Sequence, residues 1–472
     1  MAFSCFPTET WSEQKTTQTA IVWNKTEGDL FSSSSIYATL PREISWQLLD
    51  NIIAKCVNNL TAWGIKPQQL VAYSGTHQLI NLLCYCAVLK LGARVLMLNP
   101  QLSILQRQKI IAQNNCDIFI TDHHFLTLSE NERKNESSFS LKEPATFTLT
   151  SGSLGDPKAV VHSINNHLAS AVGVCELMNF TQHHSWLLSL PLFHVSGQGI
   201  VWRWLLQGAT LYIDENKQSI WNTLSKVTHA SLVPTQLQRY LAWLGERKGD
   251  QTILLGGAHI PQELVATART KNITILTSYG LTEMASTVTA ERNALDNVGK
   301  PLTNRELHIC NNEIWVKGKP LALGYWLKGK IVPLTNPQGW FETKDLGYWN
   351  QKNQLVITGR KDNMFISGGE NIQPEEIERV LFQSDLVQNI IVVPVKDDEF
   401  GERPVALVQF KQRFSIEAVR SLQEFAKIHL EKYKQPIHYF LLDTERWQVS
   451  GIKLSRTKLQ QYIAEKMAQK QE

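Results

Sequence analysis

Apolar positions crowd one side of two stretches, 45–63 and 77–91, at the spacing of a helix with a buried face, and Gly92 supplies a stop after the second. The next residues, Arg94-Val95-Leu96-Met97-Leu98-Asn99-Pro100, form a short apolar run closed by a turn, as a buried strand does. Similar runs recur at 117–121, 186–190, 210–213, 229–233 and 253–255, with helix-length segments between them. That alternation predicts an α/β architecture. From about Val298 the texture changes to short strand candidates at 307–310, 313–316, 339–341 and 355–358 among Gly- and Asn-rich turns, which predicts a small β-rich subdomain. Pro374-Glu375-Glu376-Ile377-Glu378 then opens a new unit, with proline at a helix start and early acids that suit the helix dipole. Helices at 374–382 and 415–431, strands at 389–395 and 404–411, and a charged terminal helix from about Ser455 make an α+β module. The polar stretch 359–363 separates the two textures. We place the boundary there, giving an N-terminal domain of α/β and β-rich subdomains over 1–361 and a C-terminal domain over 362–472. The polar section 129–143 reads as an exposed loop.

Composition narrows the class. Of 472 residues, 43% are hydrophobic and 19% charged, so large cores can be buried and disordered, low-complexity or collagen-like chains are excluded. Lys plus Arg number 47 against 43 Asp plus Glu, a formal charge of +4 that gives no footprint for nucleic acid. The most apolar long stretch, 79–98, is broken by Asn81, Lys90 and Arg94, so no membrane span is expected. The first fifteen residues have neither a basic start nor an apolar run, and a cytoplasmic location is the expectation. Seven scattered cysteines contain no Cys-x-x-Cys pair and read as packed thiols.

The strongest chemical signal is Thr148-Leu149-Thr150-Ser151-Gly152-Ser153-Leu154-Gly155-Asp156-Pro157-Lys158. Glycines allow close backbone approach to an anion, hydroxyls and amides donate to it, and the lysine supplies charge, so the segment can surround phosphate oxygens. It is not a Walker A loop, since Gly-x-x-x-x-Gly-Lys-Ser/Thr is unmatched and Pro157 precedes Lys158.

This loop resembles that of the adenylate-forming superfamily of acyl-CoA synthetases, luciferases and peptide-synthetase adenylation domains, Ser/Thr-Ser-Gly-Ser/Thr-Thr-Gly-x-Pro-Lys, with Leu154 standing where a threonine is usual. Further segments match the superfamily in order along nearly the whole chain. The resemblance implies ATP, Mg²⁺ and CoA as co-substrates and ion, a mobile C-terminal domain, and a set of roles. Thr150, Ser151, Gly152, Ser153, Gly155 and Lys158 would hold phosphates. Leu254-Leu255-Gly256-Gly257-Ala258 resembles the adenine loop, assigning Gly257 and Ala258, and Ser278-Tyr279-Gly280-Leu281-Thr282-Glu283 the motif after it. There Tyr279 would stack on adenine, and Glu283, with Thr282 nearby, would hold Mg²⁺. Asp345 would accept the ribose hydroxyls, beside Arg360, and Asp362 would be the hinge. Gly368 and Gly369 would border the CoA channel. Val449-Ser450-Gly451-Ile452-Lys453 resembles the catalytic-lysine loop, and Lys453 would bridge the substrate carboxylate and the α-phosphate.

Leu190-Pro191-Leu192-Phe193-His194-Val195-Ser196 matches the segment that lines the acyl pocket, with His194 at its gating position and Ser196 nearby. The residues that follow, Ile200-Val201-Trp202-Arg203-Trp204-Leu205, set one guanidinium among large apolar side chains, which an aliphatic acid would not require. If the segment is helical, Ser196 and Arg203 are two turns apart on one face. Arginine pairs with carboxylates bidentately, so the pattern suggests an acid carrying a second carboxylate besides the one activated. An internal ion pair of Arg203, another acid of the same mechanism, and a noncatalytic nucleotide-binding protein motivated by Leu154 stay open at this point. So does homo-oligomerisation.

Overall fold

The computed structural model describes residues 3–25, 40–125, 139–150, 157–216, 218–258, 260–443 and 456–468. The described residues divide into two compact units: the first lies within 3–150, 157–306 and 317–341, and the second within 307–316 and 342–468.

The first unit holds two sheets. A nine-stranded sheet runs in the order Lys300–Pro301, Ser286–Arg292, Thr274–Leu281, Thr252–Leu255, His229–Leu232, Ser185–Leu187, Thr210–Asp214, Thr19–Asn24, Glu43–Ser45. Its six central strands pair in parallel, and the antiparallel pairs lie toward the two edges. A seven-stranded sheet runs Lys330–Val332, Gly324–Leu327, Lys158–Ser163, Pro144–Thr150, Arg94–Met97, Leu70–Ser74, Ile118–Thr121. The α/β reading therefore holds, because short apolar runs such as Ile253-Leu254-Leu255 are what a strand covered on both faces requires.

The two expected early helices form as Trp46–Ala62, whose N-cap Ser45 accepts from the Leu48 amide, and Gln78–Lys90. The latter is buried nearly all round, and no helix among the described residues is long and apolar enough to cross a membrane. Helix Val195–Gln207 is the element that matters most for the site. Trp202 and Trp204 flank Arg203 on it, and all three side chains are fully buried. The Trp202 indole N–H donates to the Tyr85 hydroxyl at 2.8 Å and the Trp204 indole N–H to the Ala20 and Ala209 carbonyls at 3.1 Å each. Trp204 also stacks on Trp46 with ring centroids 5.1 Å apart. Two anchored indoles fix the rotation of this helix and so fix where Arg203 points.

In the second unit, strands Phe341–Trp349 and Leu355–Arg360 pair antiparallel, and a separate five-stranded sheet carries the C-terminal part. Its central strand Gly401–Phe410 alternates faces: Ala406 and Val408 pack with Ile377, Leu381 and Leu422 from helices Pro374–Phe382 and Ile416–His429, while Val405 and Leu407 pack with Leu459 and Ile463 of helix Arg456–Ala468. Period-two alternation thus serves two helical layers. Pro394 is tolerated because Val387–Asp397 is an edge strand. One expectation needs correction: 339–341 is not a strand. Gly339 closes a turn with its amide on the Asn336 carbonyl, and the strand begins at Phe341.

Candidate active site

Strands Pro144–Thr150 and Lys158–Ser163 form a hairpin whose last register pair is Thr150 with Lys158. The Thr150 hydroxyl donates to the Lys158 carbonyl at 3.3 Å, so both ends of the glycine- and hydroxyl-rich connection are pinned. Ser151, Gly152, Ser153 and Gly155 lie outside the described residues. The Lys158 ammonium sits 5.3 Å from the centre of the Tyr325 ring, and the Tyr325 hydroxyl donates to Glu283 Oε1 at 2.7 Å. Lys158, Tyr325 and Glu283 form one chain of contacts. Tyr325 escaped the sequence reading because its partner is 42 residues away; the Gly324-Tyr325 pair opening a strand was the only local signal.

Glu283 and Thr282 are carried by the 3₁₀ turn Thr282–Met284 after strand Thr274–Leu281, and both are half-buried. Fully buried His162 lies against this turn. Burial pushes its imidazole down to about 4, opposed by the nearby backbone of Glu283 and Thr282, and neither ring nitrogen has a hydrogen-bond partner among the described residues. Glycines Gly256 and Gly257 follow strand Thr252–Leu255, in which Leu255 lies opposite Thr277 of the parallel neighbour. Gly257 and Ala258 therefore leave the sheet at the carboxyl end of their strand, while Tyr279 stays in strand Thr274–Leu281, beyond its parallel pairing and opposite Thr289, at the edge where open α/β sheets receive ligands. A Cβ on Gly256 would stand 2.5 Å from Ser278 Oγ, and Gly257 has φ +84°. Tyr279 is buried.

The segment expected to line the acyl pocket turns into helix Val195–Gln207 with His194 as its N-cap residue. The His194 ring lies 4.6 Å from that of Phe193. Gln198 is buried and donates to Thr148 Oγ1 at 3.1 Å and to the Leu192 carbonyl at 3.0 Å, tying the helix to the hairpin of Pro144–Thr150 and Lys158–Ser163. Ser196 and Arg203 share one helix face, as their spacing requires.

Arg203 is 1% exposed. It reaches Ser231 Oγ at 3.2 Å through Nη1, and Ser286 Oγ at 3.4 Å and Thr287 Oγ1 at 3.5 Å through Nη2, all longer than the usual spacing of about 2.9–3.0 Å. Its carbon Cζ lies 5.1 Å over the Trp186 ring, and Nε has no hydrogen-bond partner among the described residues. No ion pair involving Arg203 occurs among the described residues, so the internal salt bridge left open by the sequence is absent there. Burial lowers the guanidinium to about 10, which leaves it charged at neutral pH. The hydroxyls that meet it come from a distorted stretch: strands Thr274–Leu281 and Ser286–Arg292 shift register at Gly280, and Ala285 and Ser286 take φ +49° and +103°. A Cβ on Gly280 would fall 2.2 Å from the Ser286 carbonyl oxygen, so only glycine permits this approach.

Within the second unit, Asp345 and Arg360 face each other across paired strands and join at 2.6 Å, and Arg360 Nε also donates to Asp362 at 2.9 Å. Lys344, before Asp345, has φ +62° and donates its amide to Glu313 at 3.0 Å, while the Asp345 amide is held by Thr343 Oγ1 at 3.0 Å. Gly368 and Gly369 have φ +59° and +88° in the turn between strands Phe365–Ser367 and Glu370–Ile372. Lys453 lies outside the described residues; helix Arg456–Ala468 begins three residues after it. All seven cysteines are thiols, four of them buried. Among the described residues no group of three or more His, Cys, Asp or Glu converges on a metal position. Glu283 and the Thr282 hydroxyl supply oxygen donors of the kind a hard cation takes when nucleotide phosphates complete its shell.

Residues 9–326 match the family described as AMP-binding enzyme, and residues 376–446 match the AMP-binding enzyme C-terminal domain. A 2-succinylbenzoate--CoA ligase of Haemophilus influenzae is 47% identical over 428 residues, spanning 90% of this chain and 93% of its own. The structure of a lysine-for-arginine variant of Escherichia coli MenE with bound OSB-AMS superposes with a TM-score of 0.86 at 36% identity, covering 99% of this chain and 100% of that one. The o-succinylbenzoate coenzyme A synthetase of Bacillus subtilis in complex with ATP and magnesium ion shares the fold, with a TM-score of 0.83 at 24% identity over 96% of this chain and 99% of that one.

Proposed function

The chain belongs to the AMP-binding enzyme family, and from that membership we propose that it joins 2-succinylbenzoate to CoA by way of an acyl-adenylate, a step of menaquinone biosynthesis. ATP and CoA are its co-substrates and Mg²⁺ its activating ion. The observation that carries the choice of acid is Arg203: a charged guanidinium, 1% exposed, surrounded by hydroxyls and an indole and without an ion pair among the described residues. Burying an unpaired charge is costly, and a ligand carboxylate offsets that cost when it binds. 2-Succinylbenzoate has two carboxylates, one on the succinyl chain to be activated and one on the ring to remain. Arg203 takes the ring carboxylate, with Ser196 and His194 on the same stretch lining the acyl site.

In the first half-reaction the succinyl carboxylate oxygen attacks the α-phosphorus in line, an O–P bond forms, and pyrophosphate leaves with the electrons of the broken bond. Such a transfer needs mainly positioning and charge neutralisation. Lys158, Thr150 and the Ser151-Gly152-Ser153 and Gly155 backbone hold the outgoing phosphates, Tyr279 with Gly257 and Ala258 the base, and Asp345 and Arg360 the ribose. Glu283 and Thr282 hold the Mg²⁺, whose charge favours the phosphates' approach. Lys453 meets the charge growing at the α-phosphate. In the second half-reaction the CoA sulfur attacks the mixed anhydride carbonyl, its thiol proton goes to solvent, AMP leaves, and the thioester remains. A C-terminal domain of 362–472 turning about Asp362, with Gly368 and Gly369 beside the pantetheine path, accounts for how one site serves both steps. The reaction takes place on small molecules in solution; a cytoplasmic location fits them.

The test is isotope exchange between pyrophosphate and ATP without CoA. Exchange that requires 2-succinylbenzoate, and fails with benzoate or succinate, supports the reading. Exchange with neither 2-succinylbenzoate nor any other acid overturns it.

A further inference from the structure

A second guanidinium, Arg305, is buried in the same unit at 7% exposure. Nothing in its setting, between Asn304 and Glu306 at the start of strand Arg305–Cys310, marks it as more than a turn residue. Its hydrogen bonds among the described residues all go to neutral oxygens: Nε donates to the Thr287 carbonyl at 2.7 Å, Nη1 to the Thr303 carbonyl at 2.7 Å, and Nη2 to the Ser170 carbonyl at 2.9 Å and hydroxyl at 3.0 Å. The Ser170 hydroxyl passes its own hydrogen to the Ala285 carbonyl at 2.7 Å. Arg305 thus grips Thr287 directly and Ala285 through Ser170. Those residues bracket Ser286, and Ser286 and Thr287 are two of the three hydroxyls that meet Arg203.

Two features show that this grip is built rather than incidental. The stretch it holds is strained, with Ala285 and Ser286 both at positive φ, and strained backbone persists only where surrounding groups over-determine it. Room for the guanidinium is also made by a helix: a Cβ on Gly173, within helix Ile164–Met178, would stand 2.7 Å from Arg305 Nη1. Glycine inside a helix is disfavoured relative to alanine, so its presence fits the need for that space. The charge of Arg203 also reaches Arg305: after burial, which comes first, it is the next cause lowering Arg305, to about 9, with Glu176 opposing. Thr287 stands between them, its side chain toward Arg203 and its carbonyl toward Arg305.

We infer that Arg305 is a positioning residue for recognition of the acid's second carboxylate: it holds the 285–287 stretch so that its hydroxyls face Arg203, and it places a second positive charge behind that site. This rests on the assignment of Arg203 to the ring carboxylate.

The experiment compares kcat/KM for 2-succinylbenzoate with that for 3-benzoylpropanoate, the same acid without its ring carboxylate, in Arg305→Met, Arg305→Lys, Ser170→Ala and the reference variant Arg203→Met. Arg305→Met lowers the ratio of the two values about tenfold, as loss of one charge-assisted interaction implies, Arg305→Lys recovers part of it, and Ser170→Ala lowers it about threefold. A residue of purely structural importance would reduce both acids alike and leave the ratio unchanged. If the ratio collapses in Arg203→Met but stays intact in the soluble members of the Arg305 and Ser170 set, this inference fails and the substrate assignment stands. If Arg203→Met leaves the ratio intact, the assignment of Arg203 fails first. Should Arg305→Met not fold, Ser170→Ala and Arg305→Lys carry the same comparison.

Discussion

Replacing Arg203 by methionine separates recognition from stability. The guanidinium is 1% exposed, its hydroxyl partners are at 3.2–3.5 Å, and its Nε has no hydrogen-bond partner among the described residues. Its contribution to the folded free protein is therefore small. Exchanging a poorly compensated buried charge for an apolar side chain of similar length is expected to be neutral or to stabilise by about 1–4 kcal/mol. Binding is different. A bidentate contact to the ring carboxylate comprises two charge-assisted hydrogen bonds worth about 1.5–3 kcal/mol each, of which the pair delivers about 3–4 kcal/mol after desolvation, a loss of about 10² to 10³ in kcat/KM. The assay is continuous pyrophosphate release with 2-succinylbenzoate and 3-benzoylpropanoate, accompanied by a thermal melt. The expected result is a loss of that size for the dicarboxylate, less than about threefold for the monocarboxylate, and a melting temperature at or above that of the parent. Equal loss for both acids, or a collapse in melting temperature that explains the loss, would refute the reasoning.

Lys453→Ala should cripple acid-dependent pyrophosphate exchange while sparing thioester formation from a supplied acyl-adenylate; equal damage to both half-reactions, timed by rapid quench, removes that lysine from the role. Leu154→Thr restores a hydroxyl at the position where the superfamily uses one, and should lower KM for ATP by about two- to tenfold, the worth of one hydrogen bond; an unchanged KM shows that the backbone donors suffice. Burial holds His162 and His229 at about 4 in the folded protein, below the ordinary 6.5, opposed by nearby backbone in each case. The unfolded rings bind protons that the native ones refuse, so this stability is fully present above about pH 6.5 and is lost as pH falls toward 4, by about 1.4 kcal/mol per pH unit for each ring. Urea unfolding of the parent and of His229→Gln across that range should show a shallower slope for the variant, and parallel slopes would contradict the assignment.

What the sequence revealed and what it hid follow from how burial works. Helix Pro374–Phe382 was legible to the residue because Pro374 and the early acids mark its start, and strand Arg94–Met97 because its residues are nearly all apolar. Strand Phe341–Trp349 was not, since the positions it buries include Thr343, Asp345 and Gly347, which carry no hydrophobic signal even though the period-two pattern is intact. Leu70–Ser74 was missed because Ala72 and Ser74 dilute its apolar signal, although every residue in it is buried. At the site, Arg203 could be picked out because a charge between Trp202 and Trp204 is conspicuous. Arg305 could not, because a charge between Asn304 and Glu306 reads as a solvated turn, and its burial comes from carbonyls at positions 170, 287 and 303 that only the fold assembles. The loops carrying Lys453 and Ser151 to Gly155 lie outside the described residues, so the roles proposed for them rest on motif alone.

The most direct measurement is mass spectrometry of the products formed with ATP, Mg²⁺ and CoA from a panel of 2-succinylbenzoate, benzoate, succinate and medium-chain fatty acids. The expected result is a CoA thioester, with matching AMP and pyrophosphate, from 2-succinylbenzoate and not from the others. A thioester from another acid in its place would contradict the substrate assignment, and AMP release without any thioester would contradict the ligase itself.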